Sequence, residues 1–267
     1  MKPRLAGQAF PNGVLIKSKK NWALATDDGD IRFGSSTSWL DHHPALDIIF
    51  FRSVIGFIES IVFSFRIQKE TGRDQGRELL RPLVLYLVIT LPIALLVDRP
   101  GSAPSLTTHI GLQIVSFVVA FAVFARALPS TIWSYHGAEH KAVHAHELDV
   151  DLDDLGAVAA CSRVHNRCGT NLVTFLAVGS MLRVPSGPPL ISMAGTVGYT
   201  LLTIGVCIEL FRLIVRAPES AVSRVLLAPG RFLQRRLTTR EPDRDQLAIA
   251  AKAVLTVLEL DGMKDHS

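Results

Sequence analysis

Cysteine, charge and aromatic side chains are all scarce in this sequence. Three cysteines stand in 267 residues, Cys161, Cys168 and Cys207. An odd count without a secreted-type framework excludes a disulfide scaffold and points to the reducing side of a membrane. Charged residues make up 19% and aromatics 7%, against 48% hydrophobic. That balance excludes a disordered chain, a coiled coil and a collagen, and it is greasy for a soluble domain of this length. Internal repeats and low-complexity tracts are also missing. In the first 40 residues Lys17, Lys19, Lys20 and several aspartates interrupt every apolar stretch, so insertion is expected to use internal helices rather than a signal peptide.

What the sequence does have is apolar runs without charge. Residues 82–97 and 184–208 carry none, and 101–125 carry only His109. About 20 apolar residues cross a bilayer, and soluble core helices rarely lack charge on every face. The reading is therefore a mainly α, polytopic helical membrane protein with about four crossings, at 82–97, 107–125, 170–182 and 190–211; buried helices of a large soluble core are the alternative. The third run is the shortest, and a re-entrant helix would read the same. Basic residues orient the chain: Arg66, Lys69, Arg73, Arg77 and Arg81 precede the first run, Arg126, Lys141, Arg163 and Arg167 stand in the middle loop, and ten more follow from Arg212. The outer turns hold one each, Arg99 and Arg183. The positive-inside bias places both termini and the middle loop in the cytoplasm.

Around this core the chain divides into an N-terminal cytoplasmic β element (1–47), an interfacial or inward-packed helix with a basic linker (48–81), the membrane domain with a His-rich loop (82–211, loop 126–169) and a basic tail (212–267). Val14–Lys17 and Trp22–Thr26 are β-like, and Asp28-Gly29 signals a hairpin. Residues 48–65 are apolar but contain Arg52 and Glu59, which argues against a fifth crossing. In the tail Pro242 suits a first helical position, and Leu247, Ala251, Val254, Leu255 and Leu258 form the stripe of an amphipathic helix. Arg231, Arg235, Arg236, Arg240 and Arg244 fit lipid headgroups, and no nucleic-acid partner is expected.

The chemistry gathers in the middle loop. Five of nine histidines, His136, His140, His144, His146 and His165, fall there. At 100° per residue His136, Glu139 and His140 share one helix face about one turn tall. H-x-x-E-H is the inverted zincin pattern: two histidines bind zinc, and the glutamate between them is the general base. A catalytic zinc usually takes a third protein ligand. His165 is the first choice, with Cys168 beside it as ligand or support. Glu147 lies on the same stripe but about 16 Å along the axis, and could join only if the helix broke. His144 reads as a supporting or solvated group. Arg167 and Lys141 are candidates for an anionic group of the substrate. Histidines in a solvated, pH-sensitive loop are the bland alternative.

Gly7-Gln8-Ala9 with Gly13-Val14, the stretch Tyr135-His136-Gly137-Ala138-Glu139-His140-Lys141, then His165-x-Arg167-Cys168-Gly169-Thr170, and finally Leu237-Thr238-Thr239-Arg240-Glu241-Pro242 resemble, in the same order, the DUF1385 or YqhQ family of bacterial membrane proteins. The resemblance implies a multi-pass protein of the bacterial plasma membrane and a metal-dependent enzyme without an assigned substrate. Its recurrent polar positions correspond to His136, Glu139, His140, Lys141, Glu147, His165, Arg167, Cys168 and Thr170. Asn12 departs from a more usual glutamate and Asn166 from a proline, the latter loosening the turn that presents His165. The expected function is a membrane-embedded hydrolase using a divalent metal, zinc by preference, on a lipid or other membrane-bound substrate. A non-catalytic metal-binding scaffold is the alternative. A transporter lacks the paired interrupted segments it would need.

Overall fold

The computed structural model describes residues 2–70, 105–180 and 189–264, with Val84 and Val88 besides. The expected crossing at 82–97 lies outside these residues. Four strands open the chain: β1 (Ala6–Phe10), β2 (Gly13–Lys17), β3 (Asn21–Thr26) and β4 (Ile31–Ser35). The helices are α1 (Phe51–Glu70), α2 (Leu106–Ala127), α3 (Ser130–Glu147), α4 (Leu155–Ala160), α5 (Gly169–Ser180), α6 (Pro189–Ile214), α7 (Ala221–Leu233) and α8 (Arg244–Lys264). A π-helical turn, Gln234–Thr238, follows α7. The protein is mainly helical with an N-terminal antiparallel sheet.

The chain forms two compact units. The first joins Met1–Asp41, Pro129–Thr170 and Leu227–Ser267. Its sheet runs β1-β2-β3-β4 with every neighbour antiparallel. The Asp28-Gly29 turn forms as its residue types dictate, Gly29 taking φ +84. β1 has no strand-forming sequence, since Ala-Gly-Gln-Ala is small and polar; pairing with β2 makes it a strand. Both α3 and α8 pack on the sheet and on each other. Between them Val14, Ile16, Ala23, Ala142, Val254 and Val257 lose nearly all contact with water, each larger side chain contributing about 1.5–3 kcal/mol. The tail helix begins at Arg244 rather than Pro242, because Asp243 and Gln246 cap it reciprocally, at 2.8 and 3.1 Å. Its stripe faces the sheet and α3.

The second unit, His42–Leu128 and Asn171–Leu226, holds α1, α2 and α6. Among the described residues two helices are long and apolar enough to cross a membrane, over Ile110–Ala127 and Val197–Ile214. Val115, Val118, Val206 and Leu213 on these helices, like Val62 and Phe65 on α1, stand exposed. Bare apolar faces of this extent point to association with a membrane. Helix α5 is apolar as well, but its 12 residues reach only about 18 Å. Helix α1 packs on α6. There the Arg52 guanidinium donates two hydrogen bonds to Glu209, at 2.8 and 2.7 Å, joined by Ser53 and Arg212. An acid at the end of an apolar run thus has its charge matched inside the unit.

Candidate metal centre

Helix α3 supplies the centre of the first unit. Residues Glu139, His140 and Lys141 are buried on it, which is costly for polar groups unless each has a partner. Gly137 would ordinarily weaken a helix by about 1 kcal/mol relative to alanine. It stands here because the main chain at Arg240 crosses the helix so closely that a Cβ would strike the Arg240 carbonyl. Gly7 on β1 has the same explanation, its missing side chain leaving room for the Glu139 carboxylate.

Three histidines one turn apart are fixed in the same way. The Nδ1 of His136 lies 2.6 Å from the Thr238 carbonyl, that of His140 2.7 Å from the Arg163 carbonyl and that of His144 2.7 Å from the Ser162 carbonyl. A carbonyl only accepts, so each Nδ1 carries a proton, and a neutral ring held this way has its lone pair on Nε2. This is the tautomer a metal requires of an Nε2 ligand. Burial lowers the pKa of His140 well below its ordinary value, and that of His144 to a lesser degree, so both rings stay neutral.

Cys168 comes to this face from the segment before α5. Its Sγ is 3.3 Å from His136 Nε2 and 3.5 Å from Thr170 Oγ1. One ligand atom each from His136, His140 and Cys168 lies within 4.8 Å of the others, and nitrogen and sulfur donors of these types are the ones zinc takes. Burial pushes the Cys168 thiol up to about 12, so without a cation it stays a thiol and donates to His136. Glu139 stands beside the group, its Oε2 3.5 Å from His140 Nε2. Burial raises its pKa against the pull of His136, His165 and Arg167, toward the range a general base needs near neutral pH.

The two sequence motifs therefore meet, with the His140 and His165 rings 5.7 Å apart. His165, however, is bonded differently. Its Nδ1 accepts the Arg167 N–H at 3.3 Å, which leaves Nε2 protonated and donating to Glu147 at 3.2 Å. Glu147 also pairs with Arg167. The unbroken helix keeps Glu147 away from His136, as its distance along the axis requires, and gives it to His165 and His144 instead. Lys141, expected at an anion, is committed elsewhere: it donates to the Ala159 carbonyl and pairs with Glu241 at 2.5 Å. Asn12 sits in the β1–β2 turn, its carbonyl accepting from Asp27.

Partners of the site come from segments to which sequence reasoning assigned no role. Thr238 to Glu241 form a strap over α3, with Arg240 N–H donating to the Trp133 carbonyl at 2.8 Å and Thr239 accepting from Arg163 at 2.7 Å. Gln234, fully buried, accepts the His165 N–H at 2.8 Å and donates to its carbonyl at 3.1 Å. Gly137 and the recurrence of Leu237–Pro242 beside the histidine motifs were the signals available for the strap; Gln234 had none. A cavity of about 210 Å³ opens over His136, Glu139, His140, His165 and Cys168, bordered by Leu5, Ala6 and Gly7.

The fold and site together define a mainly helical protein with an N-terminal sheet, in which a His–His–Cys cluster with an adjacent carboxylate stands beside the first strand. The chain belongs to the family described as protein of unknown function (DUF1385), whose model matches residues 48–260. It is 28% identical over 139 residues to the uncharacterized protein YqhQ of Bacillus subtilis (strain 168), a match covering 51% of this chain and 43% of that one. No solved structure matches. Every residue of the cluster falls inside the family stretch, whereas Gly7 falls before it.

Proposed function

We propose that this protein is a zinc-dependent hydrolase of the bacterial plasma membrane, with His136, His140 and Cys168 as ligands and Glu139 as general base. The observation that carries this reading is the pinning of the His136 and His140 Nδ1 atoms on the Thr238 and Arg163 carbonyls, which turns both Nε2 atoms to the other side, that of His136 to 3.3 Å from the Cys168 sulfur and that of His140 to 3.5 Å from Glu139. Two nitrogens and a sulfur suit zinc. Bound there, the metal would supply Lewis-acid activation of water at neutral pH. The chain's own groups do the rest. Glu139, beside the ligands and raised by burial, takes a proton from water and returns it to the leaving group. The bond from Glu147 to His165 and the clamp of Gln234 hold the wall of the cavity in place. A cysteine nucleophile is the weaker chemistry, since burial raises the Cys168 thiol when a nucleophile needs it lowered.

For the topology we infer four crossings with the cluster on the cytoplasmic face. Besides the basic residues, the composition of the first unit supports this. Residues from the N-terminus, the middle loop and the tail pack into one body, so all three belong on the same side, and each intervening stretch has an even number of crossings. Helix α6 then needs a partner, and α5 with the residues after it is the segment available.

Elemental analysis of the purified full chain tests the reading. About one zinc per chain is expected in the wild type, much less in His140→Ala and Cys168→Ala, and an unchanged amount in Glu139→Gln. Glu139→Gln should lose hydrolysis by about 10²–10⁴-fold, the usual contribution of a general base. Full metal content in the histidine variant would remove the hydrolase. Zinc bound as expected, with a Glu139→Gln strain behaving as wild type, would leave the scaffold.

A further inference from the structure

The cavity borders on an open sheet edge. Strand β1 is at the margin of the sheet, and the parity of its hydrogen bonds follows from β2. The bonds Ser18 N–H to the Asn21 carbonyl and Asp27 N–H to the Asn12 carbonyl, both 2.8 Å, assign Asn12, Val14, Ile16 and Ser18 to β3. Gly13, Leu15 and Lys17 are left for β1, where they face Phe10, Gln8 and Ala6. The N–H and C=O of Gly7 and Ala9 therefore point away from the sheet, and among the described residues no group takes them. Natural edges are usually blunted by charge, proline or a covering segment. Residues 6–9 are Ala-Gly-Gln-Ala, with Ala6 and Gly7 exposed. Gly7 lines the cavity and abuts Glu139.

The charge of the cavity matters too. Among the described residues lining it, Arg167 is the permanent cation, and Glu147 already neutralises it. A phosphate or carboxylate would have to break that pair. A neutral amide chain would not, and it offers the alternating donors and acceptors that an open strand edge lacks.

We propose that the substrate is a polypeptide in extended conformation, which adds as a fifth strand along Gly7 and Ala9 and so presents one of its peptide bonds to Glu139 and the His136–His140–Cys168 group. The inference rests on the hydrolase reading above and names its substrate class. In the reaction the oxygen of water bonds to the peptide carbonyl carbon and the C–N bond breaks. Glu139 moves one water proton to the departing nitrogen, which leaves a carboxylic acid and an amine.

The test uses the zinc-loaded full chain in detergent with a random-sequence decapeptide pool, read by mass spectrometry, beside p-nitrophenyl butyrate and p-nitrophenyl phosphate. Peptides are expected to be cut, with a loss of at least 100-fold in Glu139→Gln. Resynthesis of one cut peptide with a single N-methyl group at each amide in turn should slow cleavage at least tenfold at every second position only, because alternate N–H groups of an added strand face β1. An uncut pool with either ester turned over would overturn the peptide inference and keep the hydrolase. Neither peptide nor ester cut by zinc-loaded protein would overturn both. Peptide cleavage with N-methyl sensitivity lacking the two-residue alternation would overturn the strand addition.

Discussion

His136, His140 and His144 each give their Nδ1 proton to a main-chain carbonyl, and this one repeated contact decides what the rings can do. In the proposed metal centre it would prepare the lone pairs in advance, so little ordering would remain to be done on binding. Burial makes His140, His144 and the neighbouring His165 sensitive to acid. For His140, His144 and His165 the folded pKa is lowered from 6.5, chiefly by loss of water. Below that value the unfolded chain binds protons that the folded chain refuses, so stability is lost as pH falls from about 6.5 toward the lowered values. Glu139 is shifted upward and works in the opposite direction over its own window above 4.5. Urea unfolding of metal-free protein at pH 7.5 and 5.5 should therefore show a lower midpoint at pH 5.5, and Glu139→Gln should enlarge the drop. At Gly137 an alanine gains helix propensity yet meets the Arg240 carbonyl. Overpacking should win by about 1–3 kcal/mol, read as a lower unfolding midpoint together with weaker zinc retention.

At the scale of elements, the strap from Gln234 to Glu241 does as much for the site as α3, which carries its ligands. Without the strap, His136 Nδ1 would lose the Thr238 carbonyl and the Arg163 guanidinium would lose Thr239, partners 102 and 76 residues away in the chain. Gln234 imitates a peptide group, pairing with both main-chain atoms of His165. Replacing it by leucine keeps the volume but strands a buried N–H and C=O, each costing about 1–3 kcal/mol. Gln234→Leu should thus lower stability and release the Arg167–Glu147–His165 arrangement, seen as increased hydrogen exchange at residues 163–168. Gln234→Glu retains the acceptor and should fall between the two. Part of this layer was legible as elements: the Asp28-Gly29 turn and the apolar stripe of the tail helix both form from local residue chemistry. β1 was not legible, because its residues have no preference for a strand until β2 pairs with them.

For the whole molecule, Met1–Asp41, Pro129–Thr170 and Leu227–Ser267 form one body, so the topology proposed above requires all three stretches on one side of the membrane. In a background without Cys161, a membrane-impermeant thiol reagent added to intact cells should label Ser102→Cys and leave Asp151→Cys untouched until the cells are opened. Labelling of Asp151→Cys from outside would refute the cytoplasmic site. Removal of α8 is expected to abolish zinc binding although the helix holds no ligand, since it covers the core shared by the sheet and α3.

The sequence by itself determined the local periodicities of this protein. A stripe of histidines with Glu139 on one helix face, two long apolar helices and the strands β2 and β3 all depend on residues a few positions apart. The tertiary structure decided which groups stand beside the stripe. His165, the first choice as third ligand, has its Nδ1 at the Arg167 N–H and its Nε2 at Glu147, while Cys168 is the group that meets His136. Such choices follow from hydrogen-bond donors and acceptors delivered by remote segments, and remote neighbours leave no periodicity to read. The free edge of β1 beside Glu139 belongs to the same class, because an edge exists only after a sheet has formed around it.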